Sequence, residues 1–164
     1  RLVQIEEKSF NSKWYGTDEG AEVSKKIIAS ALNAEFADKV SYFANALINS
    51  SGDFVQDERL KFIEILRMIS KPALKVLAKE RELQKQRGQG HSSSISFNGL
   101  TKNLDLSPHL IETCITELYS IGVFSHTLEF DADGHATSHF DRGTPAYTKF
   151  SEKFVLFILD PRTI

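Results

Sequence analysis

The sequence predicts an α+β protein, mostly helical, in which an N-terminal helical hairpin packs on a winged helix-turn-helix carrying a β-hairpin wing. Three observations predict it. Apolar residues recur at helical spacing over most of the chain. Ser107-Pro108 opens a helix directly after a short turn. Two alternating segments flank Asp131-Ala132-Asp133-Gly134, which is good turn chemistry for a hairpin.

The elements follow in order. Residues up to Gly16 mix apolar and charged types without a period, which predicts a short helix or an irregular arm. Thr17 is an N-cap with Asp18 and Glu19 in the first turn, where acids complement the helix dipole. From there Val23, Ile27, Ala31, Phe36, Val40, Phe43 and Leu47 predict one long helix, straight or kinked, closed by Asn49-Ser50-Ser51-Gly52. A second helix is expected over 57–69, burying Leu60, Phe62, Ile63, Leu66 and Ile69. Ser70 with Pro72 restarts the chain, because proline suits a first helical turn and not a helix interior. The third helix carries Leu74, Val76, Leu77 and Leu83 and gives way to a loop of Gly88, Gly90 and Ser92 to Ser94.

Phe97 to Leu104 predicts a short helix and Asp105 to Ser107 a turn. In the next helix Leu110, Ile111, Cys114, Ile115, Leu118 and Ile121 form one apolar stripe, and Gly122 stops it. Val123 to Phe130 and His135 to Asp141 are the expected strands of the wing. Thr148 then caps a final helix with Phe150, Phe154, Phe157 and Ile158 on its apolar side. On this reading residues 1–69 form an N-terminal helical region and 70–164 a winged-helix-like domain, sharing one core.

With 164 residues, 41% hydrophobic and 26% charged, the composition is that of a globular chain rather than a disordered one. The longest apolar run, Phe154 to Leu159, falls far short of the roughly 20 residues of a membrane-spanning helix. A start at Arg1 with no signal-peptide pattern predicts a domain excised from something longer. The single cysteine, Cys114, cannot build a disulfide framework and suits a reducing cytoplasm.

Several runs resemble the abortive infection alpha (Abi-alpha) family of bacterial proteins. They are Phe43-Ala44-Asn45-Ala46-Leu47, Phe62-Ile63-Glu64-Ile65-Leu66 with Ile69-Ser70 and Val76-Leu77, and Leu118-Tyr119-Ser120-Ile121-Gly122-Val123. The run Tyr147 to Phe154 is similar to a family ending in which glycine usually stands where this chain has Ser151. The resemblance spans about Val23 to Leu159 and implies a role in phage resistance or prophage biology, with no catalytic residues to carry over.

A helix-turn-helix invites a DNA-binding regulator as the alternative function, and charge argues against it. Phosphate contacts by Lys and Arg supply most non-specific affinity for nucleic acid. Between His91 and Arg142 the basic residues are Lys102 and Arg142, against Asp105, Glu112, Glu117, Glu129, Asp131, Asp133 and Asp141. The expected outward face of the 108–121 helix offers His109, Glu112, Thr113, Thr116, Glu117 and Ser120, without a cation. Any DNA contact would therefore fall to Lys75, Lys79, Arg81 and Lys85, from the third-helix run of Lys71, Lys75, Lys79, Arg81, Lys85 and Arg87 that Glu80 and Glu82 interrupt, together with Lys102.

If Phe130 pairs with His135 across the turn, His126 faces His139, and with Asp131 or Asp133 they form a candidate transition-metal set; solvent-facing histidines are the simpler reading. A calcium loop starting at Asp131 fails, since its twelfth position is Arg142 in place of a bidentate glutamate. Cys114 lies in an apolar stripe, as expected of a buried structural thiol rather than a nucleophile. Ser92 to Ser94 beside His91 sit in a glycine-flanked loop that cannot preorganise a catalytic pair. The expectation is a non-enzymatic, cytoplasmic interaction module without cofactor. Its partner is a protein or a second copy of itself, met through Ile28, Leu32 and Ala44, which widen the first apolar stripe.

Overall fold

The computed structural model describes residues 11–33, 39–87, 95–126 and 145–160. Among these, eight helices account for the architecture: α1 Ser12–Tyr15, α2 Asp18–Leu32, α3 Val40–Asn49, α4 Gln56–Met68, α5 Lys71–Arg87, α6 Phe97–Asn103, α7 Pro108–Ser120 and α8 Lys149–Ile158. The chain divides into two compact units, Arg1–Met68 with Lys153–Ile164, and Ile69–Glu152. Helix α8 crosses that division, its first residues belonging to the second unit and the rest to the first.

In the first unit, Thr17 caps α2: its hydroxyl accepts the Gly20 N–H at 3.0 Å and donates to the Trp14 carbonyl at 2.6 Å. Gly20 is required there, because a Cβ would come within 2.1 Å of the Trp14 carbonyl oxygen. The buried side chains Val23, Ile27, Phe43, Ala46, Phe62, Phe154 and Phe157 supply the core. Phe62 is its aromatic centre, with ring centroids 5.9 Å from Phe54, 5.6 Å from Phe154 and 5.3 Å from Phe157. Such edge and tilted pairs add to what burial of the rings contributes. The last carbonyls of α8, which lack partners within the helix, are taken by side-chain amides of α3. Asn49 Nδ2 donates to Leu156, Phe157 and Leu159, and Asn45 Nδ2 to Ile158 at 3.2 Å.

In the second unit α5 packs against α6 and α7. Ser107 Oγ accepts the Leu110 N–H at 3.2 Å, with Pro108 at the first helical position of α7. The Glu117 carboxylate on α7 accepts from the Ser70 hydroxyl at 2.6 Å and from the Ser70 N–H, joining α7 to the start of α5. Thr148 and Ser151 cap α8 reciprocally. The Ser151 N–H donates to Thr148 Oγ1 at 3.2 Å, and the Thr148 N–H donates to Ser151 Oγ at 3.0 Å.

The structure corrects two expectations. The fold class is all-helical among the described residues, not α+β with a β-hairpin wing. The β content there is a two-residue antiparallel bridge, β1 Ser125–His126 with β2 Pro145–Ala146, in the register Ser125 to Ala146 and His126 to Pro145. Val123 and Phe124 are both buried, and both of their N–H groups donate to the Leu118 carbonyl. Successive strand residues point to opposite faces, so two consecutive buried residues sharing one acceptor mark a chain folding back over a helix end. Gly122, at φ +77°, makes that turn. Residues 127–144, which hold the rest of the expected wing, and the glycine/serine loop at 88–94 lie outside the described residues.

The single long helix expected from Thr17 is interrupted. Helix α2 closes at Leu32, where the Asn33 side-chain amide donates to the Ala29 carbonyl at 2.9 Å, and α3 begins at Val40. Lys39, 7% exposed, anchors the restart by donating from Nζ to the Leu66 and Arg67 carbonyls at the end of α4, at 3.2 and 3.0 Å. Those carbonyls need a donor, and a lysine at a helix C-terminus also complements its dipole.

Candidate functional site

Most polar side chains that the fold buries hold backbone together. Arg59, 5% exposed, donates from Nε to the Ser50 carbonyl at 2.7 Å and from Nη2 to the Gly52 carbonyl at 2.9 Å. Its Nη1 meets Glu19 at 2.7 Å, and its guanidinium carbon lies 4.9 Å from the centre of the Trp14 ring. The turn after α3 is thus closed by one cation with every edge engaged.

A second polar group lies in the other unit. Glu80 is fully buried on α5, its carboxylate accepting from Gln84 Nε2 at 2.8 Å and from the Ser96 N–H at 3.3 Å. Beside it, Arg81 Nε donates to Glu152 at 3.3 Å, and the other oxygen of that carboxylate accepts the Tyr147 hydroxyl at 2.7 Å. Burial, reinforced by the bond to Glu152 and by its negative charge, pushes the Tyr147 phenol well above its ordinary range. These residues were not singled out as a buried set by sequence reasoning. The signal was present: continuing the apolar positions Ala73, Val76 and Leu77 by one helical step lands on Glu80 and Arg81.

This burial takes in one member of the candidate DNA-contacting set, Arg81. Arg81, with a side chain 7% exposed and its guanidinium engaged by Glu152, offers nothing to a phosphate. Lys79 is paired with Glu82 one turn on. Lys75 and Lys85 on α5 and Lys102 on α6 are exposed. On α7, His109, Glu112, Thr113, Thr116 and Ser120 face solvent. The threonine hydroxyls donate to carbonyls of their own helix, Thr113 to His109 at 2.9 Å and Thr116 to Glu112 at 3.0 Å. Of the stripe foreseen as a cationic surface, only Arg81 is buried, and Lys79 shares its charge with Glu82.

Of the candidate metal ligands, Asp131, Asp133, His139 and the side chain of His126 lie outside the described residues. Among the described residues no group of three or more His, Cys, Asp or Glu is placed to hold an ion. Cys114 is buried at 1% exposure, and burial first, then the Glu117 charge, pushes its thiol up, away from the reactive thiolate. No helix among the described residues is long and apolar enough to cross a membrane.

Several large apolar side chains of the first unit are also exposed. On α2, Leu32 is 82% exposed and Ile28, one turn earlier on the same face, 49%. On α3, which packs against α2, Val40 is 47% exposed and Ala44 is exposed one turn further on. The three positions singled out in the sequence for widening the stripe, Ile28, Leu32 and Ala44, all face outward. Val40, one of the positions whose spacing predicted the first helix, joins them. No family model, curated protein or solved structure matches this chain.

Proposed function

We propose that this chain is a non-enzymatic interaction module that meets a protein partner through the outward apolar strip of α2 and α3. The observation that carries the reading is Leu32, 82% exposed one turn beyond a half-exposed Ile28. Burying a leucine or isoleucine side chain fully is favourable by about 1.5–3 kcal/mol each, so a complementary apolar surface would gain most of that at Leu32. In the same unit the buried Arg59 and Lys39 close a turn and a helix end, which suits a scaffold that presents a surface. We place the protein in the cytoplasm, in keeping with its single buried thiol. The resemblance of its apolar runs to the abortive infection alpha family adds phage defence or prophage biology as the setting, which the genes neighbouring the coding region test.

The experiment is light scattering coupled to size-exclusion chromatography, together with affinity capture from the host. Both use the protein with Leu32 intact and the variant Leu32→Lys. A complex or self-association present in the first and lost in the second supports the reading. A lone monomer that captures nothing, or a complex that Leu32→Lys leaves intact, ends it.

A further inference from the structure

We draw no further inference here: the strongest candidate, the exposed apolar strip on α2 and α3 around Leu32, belongs to the surface already described, and nothing in the structure shows what covers it.

Discussion

Replacing Arg59 with methionine keeps most of the aliphatic stem and removes the charge, which isolates what the guanidinium does. Its Nε and Nη2 are the donors placed on the Ser50 and Gly52 carbonyls, in a residue 5% exposed. Hydrogen bonds from a charged donor contribute about 1.5–3 kcal/mol each, and an acceptor left buried without a partner costs about 1–3 kcal/mol. The Ser50 carbonyl is left without this donor in a buried residue, whereas Gly52 is exposed and its carbonyl also accepts the Phe54 N–H, so the loss predicts a destabilisation of about 2–4 kcal/mol, centred on Ser50. The ion pair to Glu19 adds little, because that carboxylate is 35% exposed and solvent screens it. Glu19→Gln should therefore cost below about 1 kcal/mol. Denaturant unfolding followed by circular dichroism measures both variants, the midpoint falling sharply for Arg59→Met at unchanged slope. Should Arg59→Met lose less than about 1 kcal/mol, or Glu19→Gln lose as much as Arg59→Met, the assignment of the energy to the turn carbonyls is wrong.

Gly20→Ala drives a methyl to within 2.1 Å of the Trp14 carbonyl oxygen, so thermal unfolding should show a loss of about 1–3 kcal/mol, the usual range for overpacking. At Gly122 a Cβ meets nothing within 4 Å, and only its φ of +77° penalises a side chain; Gly122→Ala should cost about 1 kcal/mol in the same assay. The Tyr147 phenol has a folded pKa raised above its unfolded value, so its contribution is complete below about pH 10 and is lost as the pH rises beyond that. Tyr147→Phe should flatten the fall of stability in that alkaline window, and an unchanged pH profile would contradict the burial. Cys114 should react with a thiol reagent only as fast as the protein opens, and adding denaturant below the unfolding midpoint should accelerate it; immediate labelling in the native state would refute its buried place in α7.

Features that depend on one or two helical turns were legible in the sequence. Thr17, Ser107 and Thr148 cap the helices they were expected to cap, since a hydroxyl reaches backbone N–H groups only two or three residues ahead. The outward placement of Ile28, Leu32 and Ala44 was legible for the same reason, each lying beside a helical stripe that already filled the core. The expected wing shows where such reading fails. Alternation and a turn tetrapeptide describe what a segment is able to form, and they do not name the strand it meets. Ser125 and His126 pair with Ala146 and Pro145, beyond the segment expected to supply their partner.

By itself the sequence determined where α2, α7 and α8 begin, because capping acts within reach of its own residues. Tertiary structure alone decided that the long N-terminal helix breaks before Lys39, that Asn49 closes α8 from more than a hundred residues away, and that Glu80 and Arg81 are buried instead of lining a solvated cationic face. Each of these turns on a carbonyl, a carboxylate or a ring supplied by a distant part of the chain. A polar side chain shows which bonds it can make, and only the folded chain brings up the group that accepts them.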